Sequence, residues 1–313
     1  MALGSLGLIW LTVPLIYVDS GVQVQTYKPQ SSERPLITYA YFETDNARAN
    51  AEYFIKHGIH DGADFLFILN GETNIYEMLP DLPYVSYVQR DNRCFDLGSQ
   101  GEVLLRNKAE LVKNYKKFIL MNASIRGPFT PTWSDQCWSE RYLDRVNEKT
   151  KLVGMTYNCK KTTDIPAHVS SMIWATDRTG LELLLRNGLG TCFKDKRQAI
   201  GVEIGSAKLM HDAGYEVEAM MTAYHSDPEY QEHCQHDDVN WENSYYGMSL
   251  HPYDTIFVKA NRKIDENTLN TMTEWFDKME YDSHAFCGSR RKLGKVGTVG
   301  ERLAKEKAEG VQR

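Results

Sequence analysis

The sequence predicts an α/β fold: a single domain with a mainly parallel central sheet flanked by helices. Three observations carry this. From residue 36 onward, short runs of β-branched, aromatic and aliphatic residues alternate with segments of helical spacing. At 42% hydrophobic and 25% charged, the composition is that of an ordinary globular protein. No linker rich in Pro, Gly or Ser divides residues 36–287, and a chain of 313 residues accommodates one large domain.

Taken in order, residues 36–42 (LITYAYF) predict the first strand. Residues 46–57 predict a helix capped by Asp45 or Asn46, with Ala49, Tyr53, Phe54 and His57 on one face. Residues 64–69 (DFLFIL) form a strand that ends at the turn signal Asn70-Gly71. A third strand follows at 84–88, a polar helix at 102–115 and a fourth strand at 118–121. Residues 151–156 and 169–175 read as strands, and 180–186 as a helix. A helix over 199–213 ends at Gly214, a common C-terminal signal, and 215–221 returns as a strand. A short strand at 256–259 and a helix at 266–279 complete the domain, and 288–313 reads as a polar, basic, frayed tail.

The segment from Ala2 to Val18 carries no charge and is mostly apolar. It is short for a bilayer span and long for the apolar part of a signal peptide. Residues 1–20 therefore read as a signal anchor, narrowly favoured, or a cleaved signal peptide, with 21–35 as a stem; a buried core segment is the remaining alternative. The six cysteines are dispersed and form no C-x-x-C pair. Such a set fits disulfides made in an oxidising lumen, with six free thiols as the alternative. The expected location is the Golgi or endoplasmic reticulum membrane, single-pass with a lumenal domain, or else outside the cell. With 36 Lys+Arg against 42 Asp+Glu the net charge is −6, which argues against a nucleic-acid partner. The sequon Asn122-Ala123-Ser124 reads as too buried or too engaged to carry a glycan.

No P-loop, no G-x-G-x-x-G after the first strand, no H-E-x-x-H and no G-x-S-x-G is present. His233, Cys234, His236, Asp237 and Asp238 have metal-ligating types, but their polar setting favours a solvated loop. What remains is three clusters at strand ends, where open α/β sheets bind ligands. They are Tyr41-Phe42-Glu43-Thr44, then residues 89–98 (QRDNRCFDLG), then 121–129 (MNASIRGPF). An Asp such as Asp96 accepts from a ribose hydroxyl or a base N–H, while Arg90 and Asn92 offer donors to phosphate or sugar oxygens. A turn stitched by its own side chains is the structural alternative.

The order strand, R-x-N-x-x-x-D-x-G, helix, apolar strand, N-x-S-x-x-G-P resembles nucleotide-sugar glycosyltransferases of the GT-A type. It is particularly similar to rhamnan-synthesis F-like polysaccharide glycosyltransferases and to fungal and algal glycosyltransferases with an M-N-A-S-x-R-G-P-F motif. KLVGMTYNC, HVSSMIWATDRTGLELLL, EIGSAKLMHDAGYEVEAMM and HPYDTIFVKANR extend the resemblance over about residues 36–275. It implies a GT-A-like, Rossmann-like domain that moves a hexosyl or deoxyhexosyl group from a nucleotide-sugar donor to a glycan or glycoconjugate hydroxyl. It also implies a donor site built from Glu43, Arg90, Asn92, Asp96, Asn122, Ser124, Arg126, Lys259 and Arg262.

Asn122 and Ser124 stand where most GT-A enzymes carry the Asp-x-Asp metal ligands. An amide and a hydroxyl are poor anchors for Mg²⁺ or Mn²⁺. Either another carboxylate holds a divalent cation, or Lys259 and Arg262, with Arg126 as a further option, offset the leaving diphosphate. Glu203, read as opening a helix, is the expected catalytic base. Asp177 is the second candidate, with an N-cap for the helix at 180–186 the favoured alternative, and His168 lines the acceptor side or ligates a metal, with a structural histidine the alternative. Trp133, Trp138 and Trp174 could stack on sugars, with core packing the alternative for each. A non-catalytic carbohydrate-binding pseudo-transferase is the competing reading of the whole chain.

Overall fold

The computed structural model describes residues 33–159 and 165–309. The N-terminal apolar run and most of the stem lie outside the described residues, and no helix among those described is long and apolar enough to cross a membrane. In chain order the elements begin β1 (Leu36–Phe42), α1 (Asp45–His57), β2 (Asp64–Asn70), β3 (Val85–Arg90), α2 (Asp96–Asn114), β4 (Lys117–Asn122), β5 (Ile125–Arg126), α3 (Trp138–Leu143) and β6 (Thr150–Gly154). They continue with β7 (Tyr157–Asn158), β8 (His168–Val169), β9 (Ile173–Asp177), α4 (Arg178–Leu184), α5 (Lys196–Ile204), α6 (Ser206–Asp212) and β10 (Glu216–Ala219). Last come α7 (Tyr230–His233), α8 (Pro252–Thr255), β11 (Val258–Lys259), α9 (Glu266–Lys278) and α10 (Val299–Ala308).

Seven strands form the central sheet in the order β10-β6-β9-β4-β1-β2-β3. All neighbours run parallel except β9, which is antiparallel to both β4 and β6. Every residue of β2 is buried, because helices cover both faces of the sheet. Tyr39 of β1 stacks on Phe54 of α1 with centroids 4.9 Å apart, and Trp138 and Trp174 are fully buried. Those two tryptophans are core residues, and Trp133 stands 83% exposed on the surface.

Several elements differ from the sequence expectations. Thr44 caps α1 by accepting from the Ala47 N–H; Tyr53, Phe54 and His57 are buried as expected, together with Ala47, Asn50 and Ala51, whereas Ala49 is exposed. The helix α2 starts at Asp96 rather than 102 and is interrupted where Asn107, Lys108 and Ala109 take left-handed backbone. Its glycines are needed there. A Cβ on Gly98 would lie 2.8 Å from the Thr191 carbonyl, and one on Gly101 2.3 Å from that of Leu189, so the 189–192 loop packs directly on α2. The segment expected as one helix over 199–213 is split at Gly205 into α5 and α6. The stretch read as a frayed tail carries α10, which opens with a full capping box between Thr298 and Glu301 and ties to Asp81 through Arg302.

The six cysteines form three disulfides, Cys94–Cys192, Cys137–Cys287 and Cys159–Cys234. The third removes Cys234 from the loop cluster considered for metal, where His233 pairs with Asp227 and His236 meets the Tyr230 hydroxyl.

Candidate functional site

The parallel strands β1 and β4 end side by side, with Ala40 in register with Asn122. Chain connections diverge at this point, since β2 and β3 lie to one side and β4 to the other. Such a switch point leaves a crevice beyond the strand ends. Here it opens into a cleft of about 1250 Å³, lined by Asn92, Asp96, Asn122, Ser124, His168, Glu203, Lys259 and Arg262 among others. Eight of the residues expected from sequence thus share one cavity.

Its centre is a row of hydrogen bonds. Asp96 opens α2, and its Oδ2 accepts from Asn122 Nδ2 at the end of β4. Asn122 Oδ1 accepts from the Ser124 N–H at 3.0 Å and from Ser124 Oγ at 2.6 Å. Lys259 Nζ donates to Ser124 Oγ at 3.5 Å. The antiparallel pair β5–β11 sets Lys259 opposite Ile125, and Ala260 N–H donates to Ser124 O at 2.8 Å. This explains how residues far apart in sequence meet. It also leaves Asn122 buried and its Nδ2 bonded, so the sequon is unsuited to glycosylation as expected.

Burial and the facing Glu203 carboxylate raise the pKa of Asp96, against hydrogen bonds from Leu97 and Asn122 and the charge of Lys259. Burial and the neighbouring Arg262 lower that of Lys259, against Glu203, Asp238 and Asp96. The cleft thus sets two carboxylates around one partly desolvated ammonium. For Asp96 the sign follows directly. A carboxyl whose folded pKa is raised favours folding when protonated, and that contribution is lost as pH rises through the folded value. Asp96→Asn is therefore expected to raise the melting temperature at neutral pH. The gain should disappear in melts run below the ordinary carboxyl range, and a neutral-pH destabilisation would contradict it.

Glu203 lies in the last turn of α5, not at a helix start. The helix dipole there opposes its charge, so the expected dipole argument is reversed. The carboxylate is held instead by the Ser171 N–H, which donates to Oε1 at 2.7 Å. His168 is buried, with Nδ1 at 2.9 Å from Pro166 O and Nε2 at 3.2 Å from Asn158 Nδ2. These contacts assign the proton to Nδ1 and leave Nε2 as the acceptor. Arg262 gives its guanidinium to Asp238 and to Asn240 O at 3.0 Å, and lies over the Trp241 ring at 4.2 Å. Hydrogen bonds from Arg262 and Asn240 pull Asp238 below the usual carboxylate range although burial works the other way.

Four expected residues are not on the cleft wall. Asp177 caps α4, accepting from Gly180 N at 2.9 Å and from Lys151. Because β9 is antiparallel, Asp177 sits beside Lys117 at the start of β4, the opposite edge of the sheet. It is excluded as a base for this cleft. Arg90 is buried, its Nη1 donating to Asn70 at 2.7 Å and its Nη2 to Glu102, with Nε buried and without a partner among the described residues. Arg126 is buried against Asn50 and Thr273, and that burial lowers its pKa. Glu43 is chelated by Arg48 at 2.8 and 2.7 Å, which holds its pKa down, and accepts from Thr73. All four act in the fold.

Asn122 and Ser124 by themselves do not suit Mg²⁺ or Mn²⁺: the amide oxygen is already used twice by Ser124, and the next group is the Lys259 ammonium. The groups of the cleft whose chemistry would fit a hard cation are the carboxylates of Asp96 and Glu203. Among the described residues, each cluster with metal-ligating types, such as His60, Cys137 and Cys287, includes cysteines spent in a disulfide.

Sequence reasoning missed Asn158, Asn240 and Trp241 on the wall. A Trp inside the polar run 235–244 (QHDDVNWENS) was the readable signal for the last. No protein-family model matches the sequence, and neither does any curated protein.

Proposed function

We propose that the cleft transfers a glycosyl group from a nucleotide-sugar donor to a hydroxyl of a glycan or glycoconjugate, in a GT-A-like domain lodged in the secretory pathway. One observation carries the reading. The Asp96–Asn122–Ser124–Lys259 row joins three separate sequence motifs at the switch point of a parallel sheet, where nucleotides bind in open α/β folds. Asp96 receives the ribose or base, and Lys259 faces the diphosphate. As the acceptor hydroxyl attacks the anomeric carbon, the bond to the diphosphate oxygen breaks and charge gathers there. A fixed, partly desolvated ammonium stabilises that charge strongly. Glu203, anchored through Oε1, takes the hydroxyl proton on its other oxygen. In this reading the protein's own cation serves where a divalent metal otherwise would, and Arg262, already paired with Asp238, adds a second positive charge to the same cleft.

The test is a thermal-shift screen against nucleotides and nucleotide sugars with and without Mn²⁺, followed by a transfer assay. Stabilisation by one nucleotide-sugar class, undiminished by a chelator, is expected. No stabilisation by any of them would sink the proposal, and stabilisation without turnover would favour the carbohydrate-binding pseudo-transferase. Glu203→Gln is expected to slow transfer about 100-fold or more, the range for loss of a general base, with donor binding nearly intact. Full turnover by that variant would remove Glu203 as the base.

A further inference from the structure

We propose that Trp241, backed by the buried amides of Asn158 and Asn240, seats a neutral pyranose ring of the acceptor. The inference rests on the glycosyl-transfer reading and adds to it the class of acceptor and the place that holds it.

Trp241 lines the cleft and is 51% exposed, whereas Trp138 and Trp174 are fully buried. One face of its indole is covered by the Arg262 guanidinium, which Asp238 and the Asn240 carbonyl hold in place. The ring is therefore fixed before any ligand arrives, and stacking on it costs little ordering entropy.

Beside the ring, two side-chain amides each hold one buried acceptor without a partner among the described residues. Asn240 spends its Nδ2 on Thr156 Oγ1 at 3.0 Å and Asp238 Oδ1 at 2.8 Å. Asn158 spends its Nδ2 on His168 Nε2 and Ser170 Oγ, both at 3.2 Å. Thr156 Oγ1 donates to Ser170 Oγ at 3.0 Å, so the two amides belong to one network. Both residues line the cleft and are more than nine-tenths buried, and the Oδ1 atom of each has no hydrogen-bond partner among the described residues. An unpaired buried acceptor is unfavourable, so the site calls for a ligand that brings donors.

The chemistry that answers is a neutral sugar, with a C–H face for the indole and hydroxyl donors for the amide oxygens. A phosphate brings only acceptors, and the Asp238 carboxylate beside the ring disfavours further negative charge. Position separates this seat from the donor end as well. Thr156 follows β6, two strands beyond β4, whereas the β1/β4 switch point lies on the other side of β4.

The experiment is saturation-transfer NMR on the intact protein with methyl α-mannopyranoside, methyl β-galactopyranoside and methyl β-glucopyranoside, beside thermal shift with UDP and GDP. At least one glycoside is expected to receive saturation at its ring C–H protons from the wild type. The affinity should fall severalfold to about tenfold in Trp241→Ala and largely return in Trp241→Phe, the range for one aromatic stacking contact. Any nucleotide shift should be equal in all three proteins. No saturation of any glycoside, or equal saturation in Trp241→Ala, overturns the inference. Loss of the nucleotide shift in Trp241→Ala overturns it too, since the ring would then hold the base. Glycoside binding through Trp241 with no nucleotide shift in the wild type leaves the sugar seat standing and removes the glycosyl-transfer reading.

Discussion

Lys259→Met is expected to make the protein more stable and to weaken strongly the nucleotide binding proposed for the cleft. Burial lowers the pKa of Lys259, so at neutral pH the folded state carries an ammonium that would be better solvated in the unfolded chain. Lys259 thus works against folding below its folded pKa, and the penalty fades as pH rises towards the unfolded value. Methionine keeps most of the side-chain volume and removes the charge, so the melting temperature should rise at neutral pH. A charge-assisted hydrogen bond contributes about 1.5–3 kcal/mol, so nucleoside-diphosphate affinity should drop roughly tenfold to a hundredfold. Opposite signs for stability and binding are the mark of a group retained for function. Melts with and without UDP or GDP read both. Unchanged nucleotide affinity would remove Lys259 from the diphosphate.

The largest stability loss is expected from removing Cys137–Cys287. Its cysteines are buried and 150 residues apart. In the chain-entropy model, freeing a loop of that length destabilises the folded state by about 5 kcal/mol, and native bridges lost from other proteins have cost about 2–5. Cys137→Ser combined with Cys287→Ser should lower the melting temperature by roughly 10 °C. Wild type in reductant should melt at least as low, because the other two bridges are then open as well. A double variant that melts with the wild type would show that packing around His60 and Ser139 suffices without the bond.

Strands were the most legible part of the sequence. Two-sided burial makes β2 read DFLFILN without polar alternation, and β1 and β4 are similar. Helix starts were less so. Phe95 offers α2 no side-chain cap, and the glycines at 98 and 101 look like loop residues; their cause is the close approach of residues 189–191, a tertiary contact with no local trace. The start of α10 was readable in Thr298-x-x-Glu301. For the site, residue types at strand ends located the cleft, but type does not reveal which edge of the sheet a residue occupies. Glu203 ranked ahead of Asp177 as the acid, and the capping role of Asp177 was itself readable from the helix that follows it. The antiparallel course of β9 carries Asp177 to the far edge, while the loop at its start brings the Ser171 amide to Glu203. Arg90 and Arg126 resemble phosphate ligands in sequence and prove to be buried ties.

The disulfide loops overlap: Cys94–Cys192 and Cys137–Cys287 cross, and together they span residues 94 to 287 without a gap. Any single backbone cut within that span, whether in the interrupted stretch of α2 or in the loop that carries Trp241, therefore leaves two pieces held in one molecule. Such a nicked protein would migrate as an intact chain until reduced. In a compartment containing proteases, the cleft can outlive damage to the chain that forms it.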